Sequence, residues 1–196
     1  IAEGPGGFIE ALRYIRYNYQ KHNMDNAFAI TLIDDKHKIV PAWKQSTNFI
    51  NRHPEIHISK GADGTGNIYY PHNILHLEQE MKQFIKNMET DMETDMEQGY
   101  GNCAYIITAD GGFDYSIDYN YQEQASCKLI FSEIIIALRN QIIGGGFICK
   151  MFDTISFFSI QLIYLLYCFY DDITIYKPFT SRIANSEKYI ICRKFN

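Results

Sequence analysis

The chain has 196 residues, the size of one ordinary domain and enough to bury a core without disulfides or metals. With 46% hydrophobic and 21% charged residues it is excluded from the disordered class, and its net charge of -5 argues against non-specific coating of nucleic acid. Its five cysteines, Cys103, Cys127, Cys149, Cys168 and Cys192, are odd in number and widely spaced with no CxxC pair, which excludes a secreted disulfide framework or zinc ribbon and points to a reducing, intracellular compartment.

The sequence opens on Ile1 with no initiator Met, inside a strand-like stretch, so a fragment lacking its N-terminal edge is expected. In chain order, apolar runs bounded by turn signals alternate with helix-period segments, the pattern of an α/β domain with a mostly parallel sheet. Strands are predicted at Ile1 to Glu3, Ala27 to Asp34, Glu55 to Gly61, Asn102 to Asp110, Gly146 to Asp153, Ile173 to Phe179 and Lys188 to Phe195. Helices are predicted at Gly7 to His22, Ala42 to Arg52, His72 to Glu97, Tyr119 to Ile142 and Thr154 to Tyr170. The repeat METDMETDME, Met88 to Glu97, reads as an acidic, solvated insertion. The run ISFFSIQLIYLLYCFY, Ile155 to Tyr170, is shorter than the roughly 18 residues that span a bilayer, and reads as a buried helix rather than a membrane segment.

Only the short segment TSRIANS separates the last two strands, so the final strand is expected to return antiparallel beside its predecessor. A seven-strand sheet ending in such a hairpin is the Rossmann-like shape associated with class I methyltransferases, whereas dinucleotide dehydrogenases usually keep all strands parallel. In the last third, Lys150, Lys177, Arg182, Lys188, Arg193 and Lys194 outnumber the nearby acids and offer a local basic patch to a nucleic-acid substrate.

EGPGGF, Glu3 to Phe8, lies where a strand hands over to a helix. Gly4, Gly6 and Gly7 permit a tight turn and close approach of backbone to a ligand. The segment has neither the GxxxxGK[ST] spacing nor GxGxxG, so S-adenosylmethionine fits better than a pyrophosphate cofactor. Three polar residues then stand out at or near the ends of apolar strands: Asp110 in AYIITADGGF, Lys150 in GGFICKMFD and Glu187 in SEKYIICRKF. Ligands of open α/β sheets sit at such strand ends, and a lysine in an apolar strand is costly unless paired. The trio suits activation of a hydroxyl such as a ribose 2′-OH: Lys150 accepts the proton while Asp110 and Glu187 orient it, and no metal is required.

EGPGGF, TADGGFDYS, GGFICKMFD and IYLLYCFYDDITIYKPFTSRIANSEKYIICRKF together resemble the FtsJ-like RNA ribose 2′-O-methyltransferase domain, most closely that of the cap-specific mRNA enzymes. ADGTGNIYYPHNI resembles the family's cofactor-side loop after the third strand. The resemblance covers most of the chain. It implies one S-adenosylmethionine-dependent methyltransferase domain over 1–196, acting on capped mRNA. It also implies a lysine-aspartate-lysine-glutamate tetrad, with Asp110, Lys150 and Glu187 at the last three places and the first lysine expected before Ile1. It further places Ala2, Glu3, Gly4, Pro5, Gly6, Gly7 and Phe8 at the cofactor's methionine end and Gly66, Asn67 and Ile68 near its adenosine. Asp110 also faces the cofactor, and Asn120 and Asn185 face the RNA. Asn67 stands where an acidic residue is common.

Other signals carry less. His72 and His76 share a helical spacing with zinc sites but lack HExxH, and Pro54 breaks the His53 and His57 pair. Tyr14, Tyr17 and Tyr19 could stack bases but read as ordinary packing. Asp34 and Asp35 stand where many Rossmann-like folds bind ribose, without support from the family. The competing functions are a ribosomal RNA 2′-O-methyltransferase, a non-catalytic RNA-binding scaffold with the same fold, and a nicotinamide-dependent oxidoreductase, for which the dinucleotide fingerprint is missing.

Overall fold

The computed structural model describes residues 1–20, 25–34, 43, 47–90, 103–112, 121–182 and 185–196. The chain divides into two units, Ile1–Glu80 and Met81–Asn196. In the first, α1 (Gly7–Gln20), β1 (Ala27–Ile30), α2 (Thr47–Asn51) and β2 (Ile56–Ser59) are followed by α3 (Pro71–Thr90), whose later turns belong to the second unit. β1 and β2 pair in parallel with Ala27 opposite Ile56 and Ile30 opposite Ser59. Around them Ala29, Ile30, Ile56, Ile68, Ile74 and Leu77 form the core.

The second unit holds β3 (Ala104–Ala109), α4 (Gln122–Asn140), β4 (Gln141–Met151), α5 (Phe157–Phe169), β5 (Tyr170–Tyr176) and β6 (Lys188–Phe195). Its four strands lie in the order β3-β4-β6-β5. β3 and β4 are parallel, while β6 is antiparallel to both β4 and β5. The expected C-terminal antiparallel pair is therefore present, and its last strand is inserted between β4 and β5. Phe147, Cys149, Met151, Ile190 and Cys192 bury one face of this sheet against Leu129, Ile130, Ile134 and Ala137 of α4 and against Leu162 and Leu166 of α5.

Several expectations need correction. Among the described residues the strands form a two-strand and a four-strand sheet, in place of one seven-strand sheet. Ile1 to Glu3 is not a strand: Ala2 has a left-handed φ of 52°, and its N–H donates to the Ile30 carbonyl at 2.7 Å without a ladder beyond it. β4 starts at Gln141, five residues before the predicted strand: its register against β3 shifts between Ala104, opposite Gln141, and Ile106, opposite Gly146, so that Ile142 to Gly145 bulge out of β4 opposite Tyr105. The Gln141 side chain stitches that bulge by donating to the carbonyls of Ala104 and Tyr105, each at 2.9 Å.

α5 is not a buried helix. Ser159, Leu162 and Leu166 are buried, whereas Tyr164 and Tyr167 are each 66% exposed and Phe157 and Ile160 also face outward. Composition reports that a helix is apolar but not how wide a stripe its neighbours cover. Tyr14, Tyr17 and Tyr19 on α1 are likewise exposed rather than packed. Residues 91–97 of the acidic repeat, Asp35 and Asn120 lie outside the described residues. Among those described, no helix is long and apolar enough to cross a membrane.

Candidate functional site

In the first unit two loops flank the C-terminal end of β1. Ala2 donates to Ile30, the last residue of that strand, and Ile33 donates to the Thr65 carbonyl at 2.7 Å. Gly66 is held so close that a Cβ would lie 2.0 Å from the Thr31 carbonyl oxygen, and its φ of 61° favours glycine independently. This approach brings Asn67 and buried Ile68 to the strand end, where open parallel sheets bind ligands.

The glycine-rich turn is shaped by its own acid. Glu3 is buried, and its Oε1 accepts from the N–H of Phe8, in a short bond, and from Ile9 at 3.3 Å. A carboxylate therefore satisfies the start of α1 from within, so that helix end does not cradle a phosphate. A cofactor lacking a pyrophosphate and carrying positive amino and sulfonium groups fits this turn. Gly7, beside it, would meet nothing within 4 Å if it carried a Cβ.

The second loop is organised by Asp63 and Asn73. Asp63 Oδ1 accepts from Thr65 N at 2.9 Å, Thr65 Oγ1 at 2.7 Å and Asn73 Nδ2 at 3.0 Å, and its Oδ2 lies 3.1 Å from His72 Nε2. The Thr65 bonds, followed by those from His72 and Asn73, hold the carboxyl well below the usual carboxylate range. Asn73, 0% exposed, also donates to the Asn67 carbonyl at 3.0 Å and accepts from Asp63 N at 3.2 Å. Asn67 folds its own side chain back, with Oδ1 accepting from Tyr69 N at 2.9 Å.

In the second unit Asp110 follows β3, while Lys150 is the penultimate residue of the adjacent parallel β4. Phe147, Cys149 and Met151 take the core face, leaving Lys150 on the other face, opposite Tyr189 of β6. The Lys150 side chain is 12% exposed; its Nζ donates to the Asp110 carbonyl at 2.8 Å and lies 3.2 Å from Asp110 Oδ1. Among the described residues Glu187 makes no ion pair with Lys150. It joins through Tyr189, whose hydroxyl lies 2.9 Å from Asp110 Oδ1 and 3.4 Å from Glu187 Oε1. Burial, then the charge of Asp110, raises the Tyr189 phenol above its ordinary range, so the hydroxyl remains a donor at neutral pH.

Sequence reasoning missed Tyr189 because a tyrosine in a strand carries no signal beyond β-propensity. It also missed Lys177, placed in the basic patch. Lys177 Nζ instead fastens the β5–β6 connection by donating to the carbonyls of Asn185 at 2.8 Å and Glu187 at 2.9 Å. Asn185 Oδ1 accepts from the same lysine at 2.7 Å and from Ser181 Oγ at 3.1 Å. Lys188 and Arg193 of the patch pair with Asp153 at 3.7 Å and Asp172 at 2.6 Å. Beneath the Asp110 turn, Glu133 of α4 is 0% exposed; burial pushes its carboxyl up to about 7, against the opposing pull of the hydrogen bond from Gly111. Among the described residues, no group of three or more His, Cys, Asp or Glu gathers as a metal site.

A sequence profile described as FtsJ-like methyltransferase matches residues 1–195. The cap-specific mRNA (nucleoside-2'-O-)-methyltransferase 1 of Mus musculus is 33% identical over 194 residues, 98% of this chain and 20% of that protein. The protein of the same name from Homo sapiens is 33% identical, covering 98% of this chain and 21% of its own length. This chain thus spans about a fifth of the length of these curated relatives. Among solved structures, a ribosomal RNA methyltransferase from Plasmodium falciparum superposes with a TM-score of 0.47 at 16% identity, covering 100% of this chain and 98% of that one. With a profile match that reaches from the glycine-rich turn to the last strand, and relatives aligned along nearly its whole length, the chain belongs to the FtsJ-like methyltransferase family.

Proposed function

We propose that the protein transfers a methyl group from S-adenosylmethionine to the ribose 2′-OH of a cap-proximal nucleotide of mRNA, as one domain over 1–196. The observation that carries this reading is the Lys150 and Asp110 pair at the ends of adjacent parallel strands, linked through Tyr189 to Glu187. The names of the cap-specific relatives support the substrate. The five cysteines, all free thiols, support a reducing intracellular compartment.

S-adenosylmethionine supplies an electrophilic methyl group on a sulfonium. The turn Ala2 to Phe8 would hold its methionine end, and Asn67 and Ile68 would hold its adenosine. Lys150 Nζ accepts the proton of the 2′-OH. Asp110 orients that amine with both its carbonyl and its carboxylate, and Tyr189 fixes the carboxylate relative to Glu187. Asn185, tied to Lys177 and Ser181, presents the β5–β6 connection to the RNA, with Asn120 as the second contact.

Lys150→Ala is expected to lower methyl transfer to capped RNA by at least about a thousandfold, within the range of general-base contributions. S-adenosylhomocysteine should bind within about threefold of wild type, because the lysine serves the acceptor. Tritium transfer to capped and uncapped RNA, with calorimetry in parallel, checks this. Near-normal turnover in the variant would remove Lys150 from the mechanism, and equal rates on uncapped RNA would overturn the cap assignment.

A further inference from the structure

The peptide group between Asp110 and Gly111 is gripped on both sides. Its carbonyl oxygen accepts from Lys150 Nζ at 2.8 Å, and its N–H donates to Glu133 Oε1 at 3.0 Å. Glu133 comes from the middle of α4 and is completely buried, which is unusual for a glutamate unless its carboxyl has a task or a partner. Its second oxygen, Oε2, lies 3.7 Å from the Cys149 thiol, on the strand residue just before Lys150. The carboxyl thus touches the residue after Asp110 and the residue before Lys150.

Space is as tight as the hydrogen bonding. A Cβ on Gly111 would lie 2.5 Å from Glu133 Oε1 and 2.7 Å from Leu129 Cδ2. A Cβ on Gly112 would lie 3.3 Å from Lys150 Nζ. The Asp110-Gly111-Gly112 turn is therefore pressed between α4 on one side and the lysine on the other.

We infer that Glu133 is a positioning residue for methyl transfer: by accepting the Gly111 N–H it sets the plane of the Asp110–Gly111 peptide, whose carbonyl in turn aims the Lys150 amine. The inference rests on the reading of Lys150 as the base that serves the acceptor hydroxyl. What matters is an acceptor at this place, and a glutamine there would also offer a carbonyl oxygen to Gly111. An apolar side chain of similar length would leave the N–H buried without an acceptor and free the peptide to tilt.

Three variants of the protein, Glu133→Gln, Glu133→Met and Gly111→Ala, would be compared with wild type and Lys150→Ala. Steady-state kinetics would be read together with hydrogen exchange of the backbone amide at position 111. Glu133→Gln should keep kcat within about threefold and keep the amide protected. Glu133→Met should lose at least about tenfold in kcat, with KM for S-adenosylmethionine unchanged, and its Gly111 amide should exchange faster. Gly111→Ala, which displaces the same peptide while keeping the carboxyl, should show the same split between kcat and KM, and keeps the test available if the methionine variant does not fold. A folded Glu133→Met with wild-type kcat and a protected amide would overturn the inference, as would a Glu133→Gln as impaired as the methionine variant. If wild type makes no 2′-O-methyl product, the functional reading fails by itself, and unchanged Gly111 exchange in Glu133→Met would separately dismiss the clamp.

Discussion

Glu133 links site geometry to stability because its carboxyl titrates near 4.5 in an ordinary setting and at about 7 in the fold, with burial as the main cause. A carboxyl whose pKa is raised on folding binds its proton more tightly in the native state. It favours folding fully below the unfolded value, and that advantage is lost as pH rises through about 7. The difference is on the order of 3 kcal/mol at roughly 1.36 kcal/mol per pH unit. Glu133→Gln has no proton to lose, so its unfolding free energy relative to wild type should rise by a few kcal/mol between pH 4.5 and pH 8. Urea denaturation at the two values measures this; a pH-independent difference would mean that Glu133 is not buried as a titrating acid. In the sequence this glutamate reads as one more helix residue, because its face depends on which neighbours pack there. Asp110 and Lys150 are legible for the opposite reason: polar residues within or just after apolar strands conflict with their local pattern, and such conflicts collect at sites.

At the scale of elements, the loop between β2 and α3 shows how a motif and its support differ in legibility. Gly66, Asn67 and Ile68 are visible through family resemblance, but the asparagine that holds them is a residue of α3. Asn73 is fully buried and bonds to Asp63 and to the Asn67 carbonyl. Asn73→Ala removes those bonds and leaves buried groups without partners, at a cost of about 1–3 kcal/mol. Affinity for S-adenosylhomocysteine should fall by about tenfold while KM for capped RNA stays near wild type. Calorimetry and RNA titration check the two halves, and unchanged cofactor affinity would detach this loop from the cofactor. Strand and helix boundaries are less legible than these polar groups. Gln141 begins β4 because its side chain ties the strand to the Ala104 carbonyl of β3 just before the bulge in β4, a fact of pairing between residues 37 apart. The apolar run of α5 is visible, but its covered stripe of Ser159, Leu162 and Leu166 is not, since that depends on α4 and the sheet beneath it.

For the whole molecule, the antiparallel return of β6 follows from the short TSRIANS connection, but its insertion between β4 and β5 is a matter of long-range register that no local signal carries. Whether the two units act as one domain has a direct thermodynamic expression. A single cooperative domain loses all its structure in one transition, so probes in different places report the same midpoint. The chain has a single tryptophan, Trp43, in the first unit, against whose ring a Cβ on Gly6 would sit at 3.2 Å. Its fluorescence follows that unit alone, whereas far-UV circular dichroism also senses α4, α5 and the four-strand sheet. On urea unfolding the two signals should coincide, and S-adenosylhomocysteine should move both midpoints upward together, because a ligand of the native state stabilises whatever unfolds with its site. If the ligand raised the fluorescence midpoint while a second circular dichroism phase stayed in place, the cofactor loops would unfold separately from the strands that carry Lys150. The proposal of one domain over 1–196 would then fall, although each unit could retain its own contacts.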